Sequence, residues 1–397
     1  MGSVEYLSKD ILEEGFLKTF YPYHFFQKIL GSCRVDARNR FVTAPTIWQR
    51  VYTTFCLVIL IFVFVRFIIG YYEQFNSDKP TLFYLVTAMV TVKLGIYFSN
   101  LIHVRFFNGE SNMKLYIKMQ EVERLMKIDK DKTLNSLQYK VNLGTVIFVA
   151  VLAFVHLICF VIGIIEATSF YTYVCCETTF TLEISHCSNI VLFFAMRIRY
   201  INAIISNHIN GNTNSGSVDT VLGIPTTNYL KHVAGKIHDF KSSETDIYLR
   251  EIMRGFDSYK KLYRFQILLI SAKLFLYILL SFELILLSMK YNVSNGIQLT
   301  MYSSVILIDF IVALFLCVRC ELFTRWVKET KLLSISVMSI YVDGPIREKA
   351  KRMYNIIEQM PPNFSIYDMW ELNARLLLSM FNVITSFIVT LLQFAYL

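Results

Sequence analysis

Seven long runs of apolar residues constrain the fold of this 397-residue chain more than any other feature. Across the sequence 55% of residues are hydrophobic and only 17% are charged. Because a helix needs about 20 apolar residues to cross a bilayer, each run predicts a transmembrane helix. The runs are Val51–Tyr71, Leu82–His103, Leu143–Ile165, Tyr171–Met196, Phe265–Met289, Met301–Val318 and Leu376–Tyr396. The fourth is the least regular, since Glu177, Glu183 and His186 interrupt it. The predicted fold class is an all-α membrane protein with seven transmembrane helices.

The basic residues lie in alternate connecting segments of this predicted membrane protein. Residues 72–81 contain Lys79 as their only basic residue, whereas the loops 104–142 and 197–264 and the segment 319–375 are strongly basic. Basic loops remain on the cytoplasmic side, so the N-terminus is predicted to be cytoplasmic and the C-terminus extracellular. The formal net charge of +9 is therefore a topology signal, and we expect no nucleic-acid partner.

The same pattern divides the chain into four regions. Residues 1–50 form a cytoplasmic N-terminal segment, and residues 51–318 form a six-helix membrane region. Residues 319–375 form a cytoplasmic anchor segment, and residues 376–397 form the seventh transmembrane helix. Apolar residues at helical spacing also run through Lys114–Met126, Glu244–Lys261 and Ile335–Met360, the last broken at Gly344-Pro345. We therefore expect the fourth, fifth and sixth spans to continue as helices into the cytoplasm.

Motifs for catalysis and for metal binding are missing from the sequence, which has no P-loop, nucleophile elbow or paired Cys-x-x-Cys. We therefore predict no enzyme activity, no catalytic residue, no metal and no cofactor. Cys175 or Cys176 can form a disulfide with Cys187 near the outer face, or all three can be free thiols. Asn292 opens a glycosylation sequon in a predicted external loop.

Charged residues inside predicted spans are costly in a bilayer and usually functional. Lys273 and Asp309 fall near mid-depth, where they are predicted to form a buried pair that acts as a structural clamp. Lys93 is also near mid-depth, but the sequence indicates no partner for it. Charged and aromatic residues of the outer half are the candidates for a ligand pocket, although each aromatic alone is also compatible with core packing. These candidates are Arg66, His156, Tyr277, Phe282, Glu283 and Tyr302.

The last predicted span carries polar residues along one face. Ser379, Asn382, Ser386, Thr390 and Gln393 follow one another at three- or four-residue steps, so they share one side of a helix. One interpretation is a helix that lines a pore. The other is a buried contact between helices made by small polar residues.

The end of this helix resembles the signature of insect gustatory receptors, which is Thr-Tyr, five mostly hydrophobic residues and Gln-Phe. Here Ser386-Phe387 stands for Thr-Tyr, and Gln393-Phe394 is intact. The resemblance implies a ligand-gated, non-selective cation channel in the plasma membrane of sensory dendrites, built as a homotetramer or a heterotetramer with other gustatory receptors. It also implies that the seventh helix lines the pore, with Gln393 in the outer pore, Val389 and Thr390 near the gate, and Ser386 below.

The resemblance further implies a small-molecule tastant as the ligand. Sugar receptors of the family carry an acidic residue directly after Thr-Tyr, whereas this chain has Ile388. We therefore expect a divergent receptor for bitter plant compounds. The alternatives are an odorant receptor of the sister family, a metabotropic seven-helix receptor, which would have an external N-terminus, and a secondary transporter.

Overall fold

The computed structural model describes residues 11–37, 40–75, 80–126, 132–162, 173–212, 240–291 and 296–396, most of which are helical. The helices are α1 (Glu14–Ile29), α2 (Ile47–Phe75), α3 (Pro80–Ile102), α4 (Gly109–Met126), α5 (Lys132–Val161), α6 (Thr179–Asn212), α7 (Thr245–Tyr291), α8 (Gly296–Ile340), α9 (Pro345–Gln359) and α10 (Ala374–Tyr396). Two π-helical turns, His103–Phe107 and Tyr173–Thr178, follow α3 and precede α6. The strands β1 (Ser365–Ile366) and β2 (Trp370–Glu371) form a small hairpin before α10.

Five helical stretches are long and apolar enough to cross a membrane, judged on length and composition in the described residues. They are Ile47–Gly70, Pro80–Phe107, Leu134–Val161, Cys175–Asn210 and Thr245–Leu287. The predicted sixth span lies within α8, where the side chains of residues 296–303 are outside the described part of the chain. The predicted seventh span lies within α10, which contributes a shorter apolar stretch, Arg375–Thr390. The architecture is therefore that of an α-helical membrane protein.

Three helices are much longer than a bilayer requires. α6 has 34 residues, α7 has 47 and α8 has 45. At 1.5 Å per residue α7 is about 70 Å long, whereas the hydrocarbon core of a bilayer is about 30 Å thick. The helical periodicity in the connecting segments thus predicted these continuations, and it also predicted α4 and the break between α8 and α9.

α6 is the central helix of the molecule. Neighbouring helices enclose it, and 83% of the residues in its most apolar 18-residue stretch are buried. It packs most closely against α8 and also contacts α1, α5 and α7. Phe16 and Phe20 of α1 belong to the same hydrophobic core as Phe193 and Phe194 of α6. The segment before the first membrane helix is therefore an integral part of the helical core.

α9 is fixed to the beginning of α7 by charged side chains. It begins after Gly344, whose φ of 107° belongs to a backbone region that favours glycine. The Lys349 ammonium donates hydrogen bonds to the carbonyl oxygens of Phe240, at 2.7 Å, and Ser243. Arg352 Nε donates to Asp246 Oδ2 at 2.8 Å. These contacts tie α9 to the first turn of α7 and to the residues just before it.

The β1–β2 hairpin is a departure from the predicted all-α fold. Its turn places Tyr367 and Asp368 at φ values of 49° and 57°, and Met369 N donates to Ile366 O at 3.0 Å. Two successive positive φ values are typical of the type I′ turn that joins hairpin strands. Strands of two residues are too short to produce an alternating pattern, which is why the sequence did not indicate them.

Gly255 on α7 allows an aromatic ring to approach the helix backbone. A Cβ atom at this position would lie 2.8 Å from Cε1 and 3.2 Å from Cζ of Phe194. The Phe194 ring is fully buried beside Phe256 and Tyr259, so it has little room to move. A Cβ atom at Gly144 on α5 would meet no atom within 4 Å.

We predict that Gly255→Ala destabilises the protein by about 1 to 3 kcal/mol through overpacking. Gly144→Ala is the matched control and should be neutral or stabilising by up to about 1 kcal/mol, because alanine favours a helix. Thermal melting of detergent-purified protein, followed by size-exclusion chromatography, measures both. Equal melting temperatures for the two variants would contradict the prediction.

Candidate functional site

The final helix, α10, is uncovered on most of its surface within one chain. It packs against α7 and α8 through a narrow side that includes Leu377 and Ile384, each 6% exposed. The residues assigned to a pore from the sequence lie outside this contact. Ser386, Val389, Thr390 and Gln393 are all exposed, and so is Phe387. The side chain of Phe394, the other motif residue, is outside the described part of the chain.

The exposed side of α10 contains a shallow groove lined by polar and apolar side chains. It encloses about 400 Å³ and is lined by Asn382, Val383, Ser386, Phe387 and Thr390. The Thr390 hydroxyl donates to the Ser386 carbonyl at 2.8 Å, so this hydroxyl is satisfied within the helix. The Gln393 amide has no hydrogen bond to any residue that the structure describes. The polar side chains of the stripe therefore lie on the outer surface of the single chain.

Four ionisable side chains form a buried network between the membrane helices. Lys273 of α7 lies 2.8 Å from Asp309 Oδ2 of α8 and 2.5 Å from Glu177 Oε2 in the π-helical turn before α6. Lys93 of α3 lies 2.7 Å from the other oxygen of Glu177. Two lysines and two carboxylates therefore balance within one cluster, which we call the charge tetrad. It joins α3, α7 and α8 to the π-helical turn before α6.

Aromatic rings cover the charge tetrad. The ammonium of Lys93 lies 4.8 Å from the centroid of the Tyr277 ring, and that of Lys273 lies 4.4 Å from the Phe180 ring. Both rings are buried. Rings at this distance attract an ammonium through their negative faces, so they help to replace the water that the lysines lose. The tetrad is thus enclosed by side chains rather than open to solvent.

The structure distributes the candidate pocket residues over several environments. Tyr277 is buried beside the charge tetrad, and Phe282 and Glu283, about one and a half turns further along α7, are half-buried. His156 is buried on α5, where its Nδ1 lies 2.8 Å from Leu152 O. Arg66 is exposed on α2. The side chain of Tyr302 and the glycosylation candidate Asn292 are outside the described residues.

The family model for 7tm chemosensory receptors matches residues 20–397, which is nearly the whole chain. The protein belongs to this chemosensory receptor family. The match agrees with the gustatory receptor signature in α10. Comparison with individual curated proteins found no match.

The chemosensory receptor contains a second buried ionic network that sequence reasoning missed. Arg34, in the segment between α1 and α2, forms an ion pair with Glu183 of α6. Its guanidinium also donates to Gln266 Oε1 at 2.9 Å and to Asn112 Oδ1 at 3.3 Å. Gln27 donates to the remaining oxygen of Glu183 at 2.9 Å. No periodic signal links these residues, because Arg34 and Glu183 are 149 positions apart.

A third buried ion pair lies further along α6 of the receptor. Arg197 pairs with Glu123 of α4, and both side chains are almost completely buried. Burial raises the pKa of the Glu123 carboxyl above its ordinary value, and Arg197 is the main group that opposes this by favouring the ionised form. Between this pair and Glu183, Asn189 donates to the Tyr23 hydroxyl at 2.7 Å. Every one of these polar side chains of α6 thus has a partner on another element.

The cysteines of the receptor do not form the disulfide that the sequence allowed. All eight are free thiols. Cys176 is buried in an apolar cluster with Leu94 and Tyr277, and Cys187 Sγ lies 2.8 Å from the Tyr259 hydroxyl. The two cysteines are 11 residues apart on one continuous helical stretch, which separates them by about 16 Å, too far for a disulfide.

We predict that Lys273→Met strongly destabilises the receptor, by about 3 to 5 kcal/mol, because it leaves Asp309 buried without a cation. The readout is the amount of protein at the cell surface and the melting temperature of the purified protein. Lys290→Met, at an exposed site on the same helix, is the matched control.

The double variant Lys273→Met/Asp309→Asn separates charge from packing. It removes one cation and one anion together, and it leaves the Lys93–Glu177 pair in place. We expect partial recovery of surface protein relative to Lys273→Met. A double variant as unstable as the single variant would mean that the packing of Lys273, and not its charge, carries its contribution.

Proposed function

We propose that the chain is one subunit of a gustatory chemoreceptor that acts as a ligand-gated, non-selective cation channel. The observation that carries the proposal is the exposed polar stripe of α10. The family membership supports a chemosensory role, and the signature in the same helix favours the gustatory branch. The receptor is proposed to be a multi-pass protein of the plasma membrane in sensory dendrites.

The polar stripe is difficult to reconcile with a surface that faces lipid. An unsatisfied polar group costs several kcal/mol in the hydrocarbon core. Thr390 reduces this cost by bonding to its own helix, but the Gln393 amide has no such partner among the described residues. Water, or the same stripe of neighbouring copies, would satisfy it. A ring of subunits provides both, because each α10 would face a central axis.

The tetrameric assembly follows from the gustatory resemblance. Four copies of α10 would line the pore, with Gln393 in its outer part, Val389 and Thr390 near the gate, and Ser386 below them. Rings of neutral polar side chains coordinate cations weakly, which is compatible with passage of several cation types. Residues 319–375 would act as the anchor segment that holds the subunits together.

The ligand is proposed to be a small organic tastant of the bitter plant type. Support comes from Ile388, which stands where sugar receptors carry an acid. The pocket residues proposed are Arg66, His156, Tyr277, Phe282, Glu283 and Tyr302.

Whole-cell recording tests the proposed function directly. Cells expressing the chain alone are exposed to alkaloids, plant glycosides and simple sugars while G-protein signalling is blocked. We expect a rapid, reversible cation current with at least one bitter compound. A response that disappears only under the G-protein block would contradict the channel, and a response confined to sugars would contradict the ligand class.

Gln393→Ala tests the role of the stripe. If Gln393 faces the pore, its replacement should change the relative permeability for sodium and calcium or the single-channel conductance, with normal surface expression. Leu392→Ala is the matched control, because it truncates the neighbouring apolar side chain outside the stripe. Unchanged permeation in Gln393→Ala would identify the stripe as a packing contact.

A further inference from the structure

A groove with three arginines in its lining lies between α7 and α9, away from both the polar stripe and the charge tetrad. Its walls are Arg250 and Arg254 of α7 and Arg352, Asn355 and Gln359 of α9, and it encloses about 430 Å³. Ile356, which is 5% exposed, and Met360 complete the lining. A groove of this volume falls in the range of small-molecule sites. All its ionisable lining residues are arginines.

The positive charges in this groove are only partly compensated. Arg250 and Arg254 are one helical turn apart, where like charges repel each other. Arg254 pairs with Glu251 at 2.7 Å, and Arg352 uses only its Nε on Asp246, so its terminal amino groups remain available. Arg250 has no ion pair with any residue that the structure describes.

The geometry of the groove suits an anion with several oxygen atoms. A guanidinium presents its N–H groups in a planar fork that matches the oxygens of a phosphate. Asn355 and Gln359 lie on the same side of α9 as Arg352 and add neutral amide donors. The binding groups therefore come from two helices, and a bound anion would relieve the repulsion between the arginines.

If the fifth span begins at Phe265, as the sequence predicts, the groove lies outside the bilayer. Arg254 precedes the start of the predicted fifth span, Phe265, by 11 residues of continuous helix, which is about 16 Å. The groove lies among the basic connecting segments, which the charge distribution assigns to the cytoplasmic side. The headgroup of a membrane lipid does not reach this depth, so a soluble anion is favoured.

We propose that this groove binds a soluble, multiply phosphorylated cytoplasmic ligand. Inositol polyphosphates and nucleoside triphosphates share the required chemistry. The site is independent of the proposed channel function, since none of its residues contributes to the polar stripe or to the charge tetrad. Arg250 and Arg254 are the specific contacts on α7, and Arg352 holds both the ligand and Asp246.

The test measures binding of radiolabelled inositol hexakisphosphate and, in a second arm, of ATP to the full chain purified in detergent. We expect saturable binding of at least one of them. Raising sodium chloride from 50 to 300 mM should weaken this binding at least tenfold, because the groove is open to solvent and salt screens its charges (about 10 Å Debye length at 0.1 M). The compound that binds more tightly shows whether the groove prefers an inositol polyphosphate or a nucleoside triphosphate.

Arg254→Gln and the double variant Arg250→Gln/Arg254→Gln remove the contacts on α7. We expect about a tenfold loss of affinity for the first and about a hundredfold loss for the second, corresponding to about 1.4 kcal/mol per tenfold step. Arg254 is exposed, so its variant should fold normally. Lys261→Gln is the control, because Lys261 is exposed on α7 and lies outside the groove.

Absence of binding in both arms would overturn the proposal, as would equal losses in the Lys261→Gln control. A double variant that lowers the oligomeric mass and leaves anion binding unchanged would also overturn it, because the groove would then be a contact between subunits.

Discussion

A buried charge in an interior of low dielectric must meet an opposite charge, and this requirement organises the whole bundle around α6. Three buried charges lie on α6 or in the turn before it. Glu177 meets lysines from α3 and α7, Glu183 meets an arginine from the N-terminal segment, and Arg197 meets a glutamate from α4. Removing Arg34 or Glu123 leaves a buried charge that the interior cannot solvate. The surrounding elements are therefore fixed at three levels along one central helix.

The sequence predicted what depends on local periodicity. Apolar runs located the five helical stretches that are long enough to cross a membrane, and the spacing from Ser379 to Gln393 placed these polar residues on one helix. The low apolarity of the fourth span made it look like the weakest membrane helix, whereas α6 is the most enclosed. Hydropathy measures the cost of a polar group in lipid, but Glu177, Glu183 and His186 face protein, where partners offset that cost.

Local periodicity does not predict most contacts between segments that are distant in the sequence. Lys273 and Asp309 were linked from their similar depths, and the structure brings them together. Lys93 and Glu177 were not linked, because Glu177 lies in a π-helical turn, where the extra residue changes which way a side chain points. The pocket candidates from the outer half are distributed over buried, half-buried and exposed positions, since depth in the bilayer does not determine which way a side chain faces.

The attachment of α9 to α7 has a mechanical consequence. Lys273, in the charge tetrad, and Asp246, which holds Arg352, lie on one uninterrupted helix, 27 residues or about 40 Å apart. A stiff helix transmits a rotation along its axis with little loss. A displacement of α7 at Lys273 would therefore reach Asp246 and α9, and the β1–β2 hairpin connects α9 to α10. Ion pairs thus hold both ends of this helix segment.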